Sequence, residues 1–229
     1  MRDGSGYAWV FTNLENVISL YKPTREGDFL KEYLESFRGI LVSDFYTAYN
    51  SVNCLHQKCL IHLIRDFNDD LFKNPFDEEF KDLAKNFTHI LQAVVETIDK
   101  YGLKKRHLHK HKRAVLKFYD YVLGRDYTSE SARQYQKRIQ KNRDDLFLFL
   151  DYDNVAWNNG NAEHAIKLLA THTNDNLKFC RSTRMEEYLT IMSLYQTCKY
   201  RGISFLSFLL SEETDINLYC RSQASRKRR

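Results

Sequence analysis

A chain of 229 residues, 43% hydrophobic and 14% aromatic, is long enough for one sizeable domain or for a core domain carrying an insertion. Only 2 prolines and 8 glycines argue against a loop-rich or all-β design and favour long helices. No apolar run approaches the ~20 residues of a membrane span. Met1 to Val10 lack the pattern of a secretory signal, and five cysteines without framework spacing fit a reducing, cytoplasmic setting.

Tyr7 to Thr12 alternates large aromatics with smaller residues, the period of a strand. Leu14 to Asn16 reads as a turn and Val17 to Tyr21 as a second strand, which together predict a hairpin. Phe29, Leu30, Tyr33, Leu34 and Phe37 recur at helical spacing, with Gly39 where a helix ends. Gly39 to Asp44 is a short apolar run closing on a carboxylate, the pattern of a buried strand that delivers an acid to a sheet edge. Leu60 to Phe72 predicts an amphipathic helix with Ile61, Ile64, Leu71 and Phe72 available for burial.

From about Glu78 to Phe149 the chain is helical nearly throughout, in three helices, the last spanning Ala132 to Phe149. No strand interrupts this block, so it reads as a helical insertion. Trp157-Asn158-Asn159 then opens a helix with Ala162, Ala165, Ile166 and Leu169 at spacings of three and four. A last helix through Leu189, Met192, Leu194, Tyr195 and Cys198 ends near Gly202.

The net charge is +5, and its distribution says more. Lys100 to Arg143 hold 14 Lys/Arg against 3 Asp/Glu, with His107, His109 and His111 added, and the chain ends in Arg226-Lys227-Arg228-Arg229. Such clustering is the footprint of a phosphate-backbone partner, or else a solvated helix face and an unstructured tail.

Three features follow in one order: Ser43-Asp44 at a strand end, Cys59 to Arg65 with its Cys-x-x-His, and Trp157 to Lys167 with Asn158-Asn159-x-x-Ala162-Glu163. Together with Phe179 to Ser182 and Ser193 to Gly202, they resemble the insertion sequence 66 family of bacterial transposases. The resemblance implies an α/β, ribonuclease H-like mixed sheet in which two Asp and one Glu hold Mg²⁺ or Mn²⁺. It makes Asp44 and Glu163 catalytic metal ligands, with His62, Asn158 and Asn159 as active-site neighbours. Oxygen ligands suit these hard cations. The partner it implies is DNA, both transposon ends and target. Backbone contacts would come from Arg65, Lys104, Lys105, Arg106, Lys110, Lys112, Arg113 and Lys167. A homo-oligomer and accessory proteins of the element are open further partners, and no membrane is implied.

On this reading residues 1–73 begin the core, 74–153 are the large all-helical insertion, 154–210 complete the core with Glu163, and 211–229 form a basic tail. Asp44 and Glu163 are 119 residues apart, and the insertion accounts for the gap. One expected piece is missing, the first strand with its Asp. Arg2 to Gly6 reads as a tight turn, which makes Asp3 a poor substitute, so the chain reads as N-terminally truncated.

Without the resemblance, Glu163 would simply favour a helix N-terminus. Cys54, His56, Cys59 and His62 also spell a zinc-like pattern, but four ligands within nine residues would be cramped. A core Cys59 with His62 beside the active site is the preferred reading. Two rivals stay open: an inactive transposase remnant that only binds DNA, and a helical nucleic-acid-binding regulatory protein.

Overall fold

The computed structural model describes residues 6–176 and 182–226. The turn around Asp3, most of the Phe179–Ser182 stretch and the last three residues of the basic tail lie outside them. The chain is a mixed α/β protein dominated by helices, and it forms two compact units, residues 1–26 with 160–229 and residues 27–159. The strands form two separate pairs, and no ladder joins them among the described residues. No described helix is long and apolar enough to cross a membrane.

In the first unit β1 (Tyr7–Thr12) and β2 (Val17–Lys22) make the expected antiparallel hairpin, in register from Tyr7 opposite Lys22 to Thr12 opposite Val17. Asn13 closes the turn, its Oδ1 accepting the amides of Glu15 at 2.9 Å and Asn16 at 2.7 Å. The other edge of β2 is satisfied by a helix. From α9 (Ser182–Tyr200), Thr197 Oγ1 accepts the Val17 amide at 3.0 Å and Ser193 Oγ accepts the Ser19 amide at 2.9 Å. Four helical residues rise about 6 Å and two strand residues about 6.6 Å, so hydroxyls four apart on a helix match amides two apart on a strand.

Helix α8 (Gly160–Asn176) packs its buried Ala165 and Leu169 inward. Leu169 joins Leu189 and Met192 in a small core with Val10 and Tyr21 of the hairpin. Ile166, expected in the apolar stripe, is 45% exposed instead. Helices α10 (Phe205–Leu210) and α11 (Ile216–Arg226) follow, with Phe208 edge-on to Tyr219 at 5.4 Å beside the buried Cys198. Much of the expected basic tail is thus helical, because Ile216 and Tyr219 have an apolar surface to cover.

In the second unit α1 (Asp28–Tyr33) is shorter than expected. It ends in tight turns where Arg38 Nη1 donates to the carbonyls of Glu35 at 2.7 Å and Phe37 at 3.0 Å, so Gly39 is not the helix stop. β3 (Ile40–Ser43) pairs in parallel with β4 (Leu55–Lys58), a strand with no apolar alternation to announce it. Helix α2 (Leu60–Lys73) buries Leu60, Leu63 and Phe67. Ile64 and Leu71 flank that stripe, but Phe72 points away from it and is 87% exposed, contrary to expectation.

α3 (Glu78–Tyr101) starts on an Asp77 cap and stops at Gly102, whose φ of 71° is left-handed backbone that suits glycine. α4 (Lys105–Leu108), α5 (Lys112–Leu123), α6 (Glu130–Lys141) and α7 (Arg143–Leu146) complete the block. The single helix expected over 132–149 is broken at Asn142, whose side chain caps Arg138 O at 2.7 Å. Phe67 of α2 stacks on Tyr135 of α6 at 4.4 Å and meets Phe80 and Phe87 of α3. The helical block therefore shares one core with α2, and there is no break in packing at 73/74.

Glu79 accepts the amides of Ser129 at 2.7 Å and Thr128 at 2.9 Å, and these hydrogen bonds hold its carboxyl below the ordinary 4.5. A lowered folded-state value gives stability that is present above pH 4.5 and lost as pH falls through that lower value. Glu79→Gln is expected to flatten the acid limb of stability against pH, read from urea midpoints between about pH 2 and 7. Thr197→Val leaves the Val17 amide without its acceptor and should cost about 2 kcal/mol in the same measurement.

Candidate active site and nucleic-acid interface

Asp44 immediately follows β3 and is half-buried. Its Oδ1 accepts the Tyr46 amide at 2.9 Å, a short turn that sets the carboxylate's direction, while Oδ2 accepts no hydrogen bond among the described residues. Tyr46 and Tyr49 pack edge-to-face at 6.1 Å. The carbonyl of Ser43, one residue before Asp44, accepts the Cys59 amide at 2.7 Å. The next amide, from Leu60, donates to Trp157 O at 3.0 Å, and the Asn159 amide donates to Cys59 Sγ at 3.4 Å. Three segments remote in sequence, ending at Asp44, starting at Cys59 and spanning Trp157 to Asn159, are thereby tied into one locus.

Cys59 is fully buried at the start of α2, a core thiol occupied by the Asn159 amide. His62 follows, half-buried, in the first turn of α2, and Asn159 Oδ1 is buried with no donor among the described residues. Cys54 Sγ lies 4.0 Å from His56 Nε2, which is itself 3.0 Å from Val52 O. No group of three His, Cys, Asp or Glu converges among the described residues, so this geometry does not support the zinc pattern. The carboxylate types do suit a hard divalent cation, and Asp44 Oδ2 is open to one. Glu163 lies in the first turn of α8, half-buried, and belongs to the other unit.

Beneath the strand ends sits a buried cation. Lys58, opposite Ser43 in the ladder, is 2% exposed and donates to Asn50 Oδ1 at 3.0 Å. Burial pushes its ammonium down, against the pull of Asp145 and Asp44, and burial likewise pushes the Asp145 carboxyl up.

The basic residues separate into two kinds. Lys112 Nζ is bound to Asp151 Oδ2 at 2.7 Å, and Lys104 Nζ meets Asn154 Oδ1 at 3.3 Å. Lys105, Arg106, Lys110 and Arg113 are exposed and pair with no carboxylate among the described residues. Arg65 is exposed on α2, and Lys167 is exposed on α8 in the other unit.

The family model described as Transposase IS66 family matches residues 2–187. No curated protein matches the chain, and no solved structure does.

Reading the sequence missed Gln57, which positions the locus. It is fully buried in β4, where its Nε2 donates to Leu146 O at 2.8 Å and its Oε1 accepts the Phe149 amide at 2.9 Å. Its amide thus pins the end of the helical block against the strand pair. Asp151 and Asp153 also escaped notice, because their partners Lys112 and Lys105 lie about 40 to 50 residues away in sequence. Gln57→Leu strands a buried carbonyl and a buried amide and is expected to cost about 3 kcal/mol, measured by urea denaturation.

Proposed function

The chain belongs to the transposase IS66 family, and on that basis we propose that it carries the catalytic core of a DNA transposase, with Asp44 and Glu163 as two of its metal-binding carboxylates. The supporting observation is the locus itself. Ser43-Asp44, the start of α2 and Trp157 to Asn159 meet through three hydrogen bonds, although more than 100 residues separate the first from the last. Packing alone needs no acid at that point, yet Asp44 is oriented by the Tyr46 amide and keeps one oxygen open.

The reaction is an in-line displacement at phosphorus, in which a water or 3′-hydroxyl oxygen forms the new P–O bond as the bridging P–O bond breaks. Bound Mg²⁺ or Mn²⁺ supplies activation of the attacking oxygen and stabilisation of the leaving one. Asp44 and Glu163 would hold it. His62, Asn158 and Asn159 would be its neighbours, orienting groups at the reacting end. Exposed Arg65, Lys167 and the basic turn after α3 hold the DNA backbone, which is where most protein–DNA hydrogen bonds go. Transposon ends and target DNA are the substrates, and self-assembly and accessory proteins belong to the same proposal.

Manganese titration followed by the paramagnetic signal of the free ion tests the acids. Asp44→Asn and Glu163→Gln should each weaken binding by at least about tenfold. Mg²⁺-dependent nicking of supercoiled DNA is the second readout, and Asp44→Asn is expected to abolish it. Robust Mg²⁺-dependent nicking that survives Asp44→Asn would remove Asp44 from the mechanism.

A further inference from the structure

We propose that the turn between α3 and α5 is a preformed seat for the phosphodiester backbone of DNA, in which Lys105 and Arg106 hold phosphate while Asp151 and Asp153 hold the seat in shape. The inference rests on the reading of the chain as a DNA-acting protein and assigns separate duties within one basic run.

The seat is built, not merely charged. Gly102 reverses the chain in left-handed backbone at the end of α3, and the Tyr101 ring stacks on His107 at 4.2 Å and 15°. Leu108 is fully buried beneath the turn. The segment after the helical block braces it from the other side: Asp153 Oδ1 accepts the Lys105 amide at 2.8 Å, and the Asn154 amide donates to Leu103 O at 2.8 Å. Asp151 takes the Lys112 ammonium at 2.7 Å. The result is an open depression of about 720 Å³ lined by Lys104, Lys105, Arg106, His109 and Asp153.

Lys104, Lys105 and Arg106 are consecutive, so this frame holds three like charges close together, a cost that an arriving anion relieves. Lys112 cannot contribute without breaking its ion pair. Among the described residues Lys105 meets no carboxylate, and Arg106 donates only through Nε, to His107 Nε2 at 3.0 Å. That leaves its terminal N–H groups for the fork-like contact guanidinium makes with phosphate oxygens. Because the cations sit on a braced turn, little freedom is lost on binding, unlike the case of a solvated helix face. The depression is wide and continues in sequence into exposed Lys110 and Arg113, a layout for a polyanion and not for a single enclosed ion.

Fluorescence anisotropy of a labelled duplex, titrated at several salt concentrations, tests the seat on the full chain. Lys105→Ala with Arg106→Ala should lower the magnitude of the salt slope by about 2 and affinity roughly tenfold or more near physiological salt, with the thermal midpoint unchanged. Lys112→Met should do the reverse, lowering the thermal midpoint and keeping the slope. Asp153→Asn keeps an acceptor for the Lys105 amide while deleting a negative charge at the rim, so it should tighten binding. If the wild type binds DNA and the double variant keeps its slope and affinity, the seat is overturned and the DNA-acting reading stands. If the wild type binds no DNA, both fall. Displacement of the duplex by inorganic phosphate at constant ionic strength overturns the seat in favour of a free-anion site.

Discussion

A parallel pair of strands offers each member one hydrogen-bonded edge, and every buried amide or carbonyl beyond that edge must find a partner elsewhere. β3 and β4 face this constraint in its sharpest form, because two strands make no sheet of independent stability. The partners come from far along the chain: Gln57 reaches Leu146 and Phe149, and Leu60 reaches Trp157. A stranded buried group costs about 1–3 kcal/mol, against a total stability of about 5–15 kcal/mol for a domain. Satisfying this strand pair is therefore what brings the segments around Asp44 together, and the candidate site is a by-product of that accounting.

The hairpin in the other unit solves the same problem differently. Its open edge on β2 is met by hydroxyls of α9, with Ser193 and Thr197 at helical spacing answering Ser19 and Val17 at strand spacing. The Ser-Leu-x-x-Thr-Cys-Lys stretch, beyond the residues 2–187 that the family model matches, thus has a structural purpose. Its Ser and Thr face the hairpin, and its Cys198 is buried with Phe208 and Tyr219.

Legibility followed local chemistry. The hairpin was readable because aromatic alternation over Tyr7 to Thr12 has only one periodic interpretation, and α3 because its apolar residues recur over six turns. β4 was not, since Leu55-His56-Gln57-Lys58 buries a Gln and a Lys whose partners are remote. Phe72 was misassigned because hydrophobicity does not say which face of α2 meets α3 and α6. The break at Asn142 and the helix at Ile216–Arg226 likewise depended on side-chain caps and on an apolar surface that only the folded chain presents. For the candidate site, Asp44 and its strand were legible, and the carriers of its surroundings were not.

The sequence by itself determined the family, the helical character, the strand that ends at Asp44 and the density of positive charge after Lys100. These are local: periodicity, turn chemistry and motif order need no knowledge of distant neighbours. Only the tertiary structure decided that Gln57 joins the helical block to the strands and that Lys112 is neutralised while Lys105 and Arg106 are not. The physical reason is that hydrogen bonds and ion pairs are satisfied across space. A residue's partner, and with it the residue's job, is chosen by whichever group the fold brings within about 3 Å.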